Sequence, residues 1–386
     1  MMGSQHLTSI PEPVLSRAIT STVANAWASW NWYPPQAINR STTKNMANCD
    51  HEFRKFNGAI RLTDARRNEL RASRNSIRDT ILSQFKTNGI TMVPAFRSQG
   101  SFVMDTIVNP VNENEFDLDL GIYFIGDQPR EKRPEPEAFH AAVLDAVKDQ
   151  THEVFDKDTC VRVRYARQFH VDLPIYYRSY THPELAHKKD GWILSNPLEF
   201  IEWFEGHTRS GFRIDYLLQE ALRTDYDKWK EDMRKNDDQL RRMVRYTKAW
   251  ADELGKDDMP AGVCLTILVA NNLVRDTNDD AAFLRTMQRM LNALDLRFEC
   301  LRPTTPKGED LFAGYTAEKR QYFMDRLRGL VADGERALNA NMNHESCALW
   351  HKHFGGRFPC TEPPRVKEIA SPLATLIGAQ ARPYRW

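Results

Sequence analysis

Apolar positions change their period along the chain, and the change divides it into two unlike halves. Over residues 64–86, Leu70, Ser73, Ile77, Ile81 and Phe85 recur at helical spacing, which predicts a long amphipathic helix with Asp64 as its N-cap. Residues 90–96 are short and apolar enough for a strand, broken by the turn-prone run Arg97-Ser98-Gln99-Gly100-Ser101. Phe116, Leu118 and Leu120 alternate with Asp117 and Asp119, the period of a strand with one buried face. Phe139, Val143 and Val147 mark a further helix, and 161–165 and 168–177 read as strands. Beyond about residue 195 the strand signals fade, and helical periodicity takes over at 211–223, 238–254, 261–275, 281–294 and 317–338. The pattern predicts an α+β fold with a mixed β-sheet followed by a C-terminal helical lobe. The expected divisions are an N-terminal segment wrapping the body (1–63), the sheet-bearing core (64–195), the helical lobe (196–360) and a proline-rich tail (361–386).

A length of 386 residues suits two lobes around a cleft better than one ordinary core. Lys and Arg (53) nearly balance Asp and Glu (52), leaving a formal charge of +1. That balance argues against a dedicated nucleic-acid coat, so any polyanion site must be local. No apolar run is long enough to span a bilayer and the first residues lack a leader pattern, so a soluble, cytoplasmic protein with no membrane partner is expected. The six cysteines are scattered without paired spacing, which predicts reduced thiols. His344, Cys347 and His351 share a helix face near His353 and Cys360, but Leu349, Trp350 and Phe354 favour ordinary packing over zinc. Arg67, Arg71, Arg74 and Arg78 read as a solvated helix face, and Trp27, Trp30 and Trp32 as core.

The residues with chemistry cluster in the first half. Asp117 and Asp119, one residue apart on a strand, can reach the same divalent cation. Gly100 and Ser101 upstream offer backbone N–H groups and a hydroxyl to phosphate oxygens. Asp172 lies in a later strand whose alternate residues Phe169, Val171 and Leu173 are expected to be buried. Each signal alone is ordinary: a solvent-facing pair, a turn, a surface carboxylate. Their order makes a set able to hold two magnesium ions, with manganese as a substitute, because carboxylates without His or Cys suit a hard cation. A nucleoside triphosphate carries about four negative charges and its acceptor hydroxyl is a poor nucleophile, so such cations are needed on both sides of the transfer. On the helix at 238–254, Arg241, Arg245 and Lys248 form a basic stripe.

At these positions the chain resembles the cGAS/DncV-like nucleotidyltransferases (CD-NTases). The matching residues are Gln99-Gly100-Ser101-Phe102, Glu115-Phe116-Asp117-Leu118-Asp119 and His170-Val171-Asp172-Leu173-Pro174-Ile175-Tyr176. Trp192-Ile193-Leu194-Ser195-Asn196-Pro197, Glu202-Trp203-Phe204 and Tyr246-Thr247-Lys248-Ala249-Trp250 are similar to the branch of bacterial cyclic GMP-AMP synthases. The resemblance implies a polymerase-beta-like nucleotidyltransferase palm with a helical lobe, and an active site in the cleft between them. It implies a cyclic di- or trinucleotide messenger made from ATP, GTP or other nucleoside triphosphates in bacterial anti-phage (CBASS) defence. A downstream effector would bind the product rather than the enzyme, beside an operon-encoded regulator. By motif match, Asp117, Asp119 and Asp172 hold the metal, and Gln99, Gly100, Ser101 and Lys248 bind nucleotide. Ala261-Gly262-Val263-Cys264 stands where several relatives carry a serine, so base preference does not transfer. There is no zinc-ribbon insertion, the near-neutral charge gives no reason to expect activation by nucleic acid, and the ending Tyr384-Arg385-Trp386 lacks the small residue expected for tail conjugation. The competing readings are a template-independent enzyme making linear products, similar to oligoadenylate synthases, and a catalytically silent scaffold. Clustered like charges, which repel without a cation, argue against the scaffold.

Overall fold

The alternation around Asp117 and Asp119 becomes the central strand pair of a seven-stranded mixed sheet. In a computed structural model that describes residues 47–111, 115–148, 153–165, 169–178, 182–208, 234–255 and 258–360, the strands are β1 (Ala95–Gln99), β2 (Phe116–Ile125), β3 (Glu153–Asp156), β4 (Cys160–Tyr165), β5 (Phe169–Arg178), β6 (Pro183–His187) and β7 (Gly191–Leu194). Their order is β1-β2-β5-β4-β3, with β6 pairing β5 and β7 pairing β6. β2 and β5 run parallel, and the other pairs are antiparallel. The expected helix at 211–223, the tail at 361–386, and Trp27, Trp30 and Trp32 lie outside the described residues.

Period two sorts the sheet into an apolar and a chemical face. Leu118, Leu120, Ile122 and Phe124 of β2, with Val171, Leu173 and Ile175 of β5, pack on one side. Helix α1 (Asp50–Ile60) precedes the sheet, and α2 (Asp64–Thr87) and α4 (Pro136–Val147) cover this apolar side through Leu70, Ile77, Ile81, Phe85, Phe139 and Val143. Each such side chain contributes about 1.5–3 kcal/mol on burial, so the strand register cannot slip without exposing the whole row. The N-cap of α2 is Thr63, not Asp64: its hydroxyl accepts from Arg66 N at 3.2 Å, and Asp64 opens the helix, where its charge suits the dipole. β1 begins later than expected and runs on through Gln99, because pairing with Leu120 and Asp119 of β2 outweighs the turn propensity of Ser98-Gln99.

The second core belongs to α5 (Pro197–Gly206), α6 (Gln239–Leu254), α7 (Gly262–Asn272), α8 (Asp279–Leu296), α9 (Ala317–Asn339) and α10 (Asn343–Phe354), following the short α3 (Gly100–Val103) of the sheet region. Asp238 caps α6 by accepting from Leu240 N at 2.9 Å, and Gly255 closes it at φ 58°. Phe53 and Phe56 place α1 inside this helical core, where the Phe53 ring meets Tyr246 and Trp350 edge-on at 5.1 Å each. Cys347 and Cys360 form a disulfide, against the expectation of reduced thiols, whereas Cys49, Cys160, Cys264 and Cys300 are free and buried. The bond removes both cysteines from any zinc set, and His353 instead meets Asp333 Oδ2 at 2.8 Å.

The two cores meet at Asp105, just after α3, which sits at φ 54° in the left-handed region. Arg67 Nη1 donates to its Oδ1 at 2.6 Å and Arg61 Nε to its Oδ2 at 3.0 Å. Arg245 of α6 donates to its carbonyl oxygen, and Arg234 lies 3.6 Å from its carboxylate. Arg67 therefore departs from the expected solvated stripe: it is buried at 2 % exposure. Burial alone would raise the Asp105 pKa, but Arg245, Arg67, Arg61 and Arg234 outweigh it and hold the carboxyl below the usual range. Removing the carboxylate leaves buried guanidiniums uncompensated. Asp105→Ala is expected to lose about 3–5 kcal/mol in urea unfolding, and Asp105→Asn to lose less, because asparagine tolerates the left-handed conformation. A loss near zero for Asp105→Ala would mean the arginines do not depend on it.

Candidate active site

The parallel register of β2 and β5 sets Asp117 opposite His170 and Asp119 opposite Asp172, all on the face away from α2 and α4. The antiparallel β4 extends both rows, with Arg164 opposite His170 and Arg162 opposite Asp172. Arg162 grips Asp172 with Nε at 2.5 Å and Nη2 at 2.6 Å, and its guanidinium lies 3.7 Å from Asp117. Glu115, just before β2, receives Arg164 at 2.6 Å and lies 3.3 Å from His170 Nδ1. The imidazole's Nε2 pairs with Asp117 Oδ1; burial works against both charges, but the pairing outweighs it, holding the Asp117 carboxyl below its usual range and raising the imidazole.

Asp119 is the most crowded of the carboxylates. Burial and the charges of Asp172 and Asp117 push its pKa up to about 7. A cation among these groups would relieve that repulsion, so the residues fit a divalent metal by charge and donor type. One ligand atom from each of Asp117, His170 and Asp172 lies within 4.8 Å of the others.

The chain reaches the rim above this floor through Gly100 and Ser101, which open α3 where β1 ends. Gly100 has φ 67°, and a Cβ there would lie 2.1 Å from Asp119 Oδ2, so both the backbone conformation and the close approach require glycine. No side chain caps α3, whose Gly100 and Ser101 line the cleft. From the opposite wall Lys248 of α6 donates to Thr106 O at 3.3 Å. Burial pulls its pKa down to about 8, against the pull of Asp117 and Asp119, with Arg245 adding to the decrease.

Gly100, Ser101, Asp117, Asp119, Asp172 and Lys248, all singled out in the sequence, line one cleft of about 1010 Å³. Gln99 does not join them. Its side chain is buried beneath the site, donating to the Tyr176 hydroxyl at 3.0 Å and accepting from the Tyr123 hydroxyl at 3.0 Å, so the amide supports the floor and does not line the cleft. The basic stripe also dissolves. Arg241 is buried on Glu205 at 2.6 Å and Arg245 serves the Asp105 cluster, so Lys248 is its one member in this cleft. Sequence reasoning passed over Arg162, Arg164, Glu115 and His170, all of which line the cleft. The period-two rule that placed Asp172 also places His170 on its face. The far rim, with Asn196, Thr305 and Arg302, is stitched by Asn196 N donating to Thr305 O at 3.3 Å.

Comparison with known proteins agrees with this geometry. The family model for the nucleotidyltransferase domain of DncV-like cyclic GMP-AMP synthases matches residues 94–176. A cyclic GMP-AMP synthase of Escherichia albertii is 26% identical over 210 residues, covering 52% of this chain and 42% of the relative. A cyclic AMP-AMP-AMP synthase of an Acinetobacter species is 24% identical over 174 residues, covering 42% of this chain and 51% of the relative. The chain thus spans about half the length of these curated relatives. The Vibrio cholerae DncV cyclic AMP-GMP synthase, solved with the linear intermediate 5′ pppA(3′,5′)pG, superposes with a TM-score of 0.63 at 18% identity, covering 81% of this chain and 97% of that one. The last likeness speaks to the fold, and the matched domain contains β1, β2, β4 and most of β5, which carry the chemical face. From its motifs, its sheet and these matches together, residues 94–176 form a DncV-like nucleotidyltransferase domain.

Proposed function

We propose that this protein is a divalent-cation-dependent nucleotidyltransferase that joins ribonucleoside triphosphates into a cyclic di- or trinucleotide, releasing pyrophosphate. The observation that carries the reading is the convergence of the Asp117, Asp119 and Asp172 face, the Gly100-Ser101 turn and Lys248 on one cleft. Its volume of about 1010 Å³ reaches the top of the roughly 300–1,000 Å³ range of single-ligand pockets, which suits two nucleotides held together. The E. albertii and Acinetobacter relatives, named for a cyclic GMP-AMP and a cyclic AMP-AMP-AMP product, support cyclisation and leave both ring sizes open. ATP and GTP are the first substrates to test.

Within the cleft, the Gly100 and Ser101 N–H groups and the Ser101 hydroxyl would receive phosphate oxygens of the donor, and Lys248 would meet the triphosphate from the helical side. Asp117, Asp119 and Asp172 would hold magnesium or manganese. Bound cations would supply charge neutralisation for the leaving pyrophosphate and a lowered pKa for the acceptor hydroxyl. Asp172 must release part of its grip on Arg162 to take part. A freed Arg162 guanidinium stands within the same anionic pocket, available to a phosphate. The wider reading, a second messenger for anti-phage defence sensed by an effector that binds the product, rests on the family resemblance.

The experiment that tests the site follows pyrophosphate release from the four ribonucleoside triphosphates with magnesium. The Asp117→Ala/Asp119→Ala double variant is expected to lose about a thousandfold or more, the several kcal/mol that metal stabilisation supplies, while its circular dichroism stays native. Unchanged release would contradict the assignment. Stability gives a second check. Because the folded Asp119 pKa is raised to about 7, its protonation contributes stability at low pH that is lost as pH rises through 7. That loss begins near the unfolded carboxylate value, about pH 4, and is complete near pH 7, so metal-free Asp119→Asn should melt above wild type at pH 8, by less at pH 5, and level with it only below about pH 4.

The pH–rate profile should be bell-shaped, rising as Asp119 deprotonates near pH 7 and falling as Lys248 loses its charge near pH 8. Protons and metal compete for Asp119, so raising magnesium should move the acid limb to lower pH and leave the alkaline limb in place. An acid limb indifferent to magnesium would contradict Asp119 as a ligand.

A further inference from the structure

A second cavity, of about 700 Å³, opens at the N-terminal end of α6 and shares no lining residue with the catalytic cleft among the described residues. Its walls bring together Arg54 of α1, Arg241 and Arg242 of α6, and Arg275, with Asp237 and Asp238 just before α6. Three of these arginines have carboxylate partners: Arg54 donates to Asp50 at 2.8 Å, Arg242 to Asp279 at 2.6 Å and Arg275 to Asp238 at 3.0 Å. Arg241 differs. It is fully buried, and its Nη2 donates to both oxygens of Glu205, at 2.7 and 2.6 Å. Its Nε and Nη1 find no hydrogen-bond partner among the described residues. Glu205 compensates the guanidinium only weakly, because burial raises that carboxyl above its ordinary value against the pull of Arg241. Buried cationic donors left unmade are costly, and at the wall of a cavity they call for an anion.

The cavity is also tied to the catalytic face. Asp237 sits at φ 34°, a conformation that residues with a side chain seldom adopt. Arg245 donates to one of its carboxylate oxygens and Asn57 to the other, the latter at 2.8 Å. The same Arg245 donates to the backbone oxygen of Asp105, and Thr106 next along the chain accepts from Lys248 at 3.3 Å. We propose that this cavity is an effector site for a small phosphate-bearing anion, received by Arg241 with Arg54 and Arg275, and that its occupancy acts on Asp105 through Asp237 and Arg245. Asp237 and Asp238 do not bar such a ligand, because Arg245 and Arg275 already neutralise them. A space of about 700 Å³ lies inside the roughly 300–1,000 Å³ range of single-ligand pockets, which favours a phosphate monoester over the free ion.

The test needs no catalytic activity. Metal-free full-length protein is titrated calorimetrically with inorganic phosphate and, separately, with ribose 5-phosphate. Expected is one saturable site that takes the sugar phosphate more tightly, that Arg54→Ala and Arg275→Ala each weaken about tenfold, and that Lys248→Met retains; equal affinity for the two ligands would assign the site to the free ion. On saturation, hydrogen exchange over residues 101–106 should slow severalfold, and binding that leaves it unchanged would overturn the coupling to Asp105. No saturable binding of either ligand below about 10 mM in the wild type, a result that needs no variant to fold, would overturn the site. Binding that survives both arginine changes and falls with Lys248→Met would place the anion in the catalytic cleft and overturn it equally.

Discussion

A single carboxylate enclosed by guanidiniums holds the two halves of the site at a fixed separation. Asp105 anchors Arg61 and Arg67 from the sheet side, while Arg245 of α6 donates to its backbone oxygen. One residue further, Thr106 N donates to Ser101 O at 2.9 Å and Thr106 O accepts from Lys248. The turn bearing Gly100 and Ser101 and the helix bearing Lys248 are thereby tied through a few atoms. Left-handed backbone at a non-glycine residue costs about 1–3 kcal/mol. The ion pairs offset that cost, and the strain sits four residues from Ser101 of the cleft.

The chemical face presents the opposite electrostatic problem. Its carboxylates crowd together on a floor that would have to accept a polyanionic substrate. Only added positive charge reconciles the two, and the protein provides part of it: Arg162 on Asp172, Arg164 on Glu115, and Lys248 across the cleft. The raised pKa of Asp119 marks where this internal compensation falls short, and that is the deficit a divalent cation would fill. The fold makes the crowding tolerable because the reverse face of the same strands is fully apolar and pinned by α2 and α4.

Period two in β2 and β5 was plain in the chain, and it located Asp117, Asp119 and Asp172 because alternation with buried Leu118, Leu120, Val171 and Leu173 leaves them one direction to point. Helical periodicity likewise found α2, α6 and α9 to within a residue or two. What sequence could not supply was partnership. Arg67, Arg241 and Arg245 look like members of solvated or ligand-facing stripes until Asp105 and Glu205, distant in sequence, arrive to neutralise them. Gln99 sits in a motif yet turns its amide to Tyr123 of β2 and Tyr176 of β5, 24 and 77 residues away. The Cys347–Cys360 bond lacks any spacing signature. His170 was legible by the same alternation as Asp172, since period two puts both on one face of β5.

The measurement closest to the central claim is the identity of the product. Purified protein incubated with all four labelled ribonucleoside triphosphates and a divalent cation, then treated with phosphatase and resolved by chromatography and mass, should yield a phosphatase-resistant cyclic di- or trinucleotide whose mass gives its bases and ring size. Phosphatase-sensitive linear oligonucleotides would contradict cyclisation, and no new phosphodiester product with either magnesium or manganese would contradict the account as a whole.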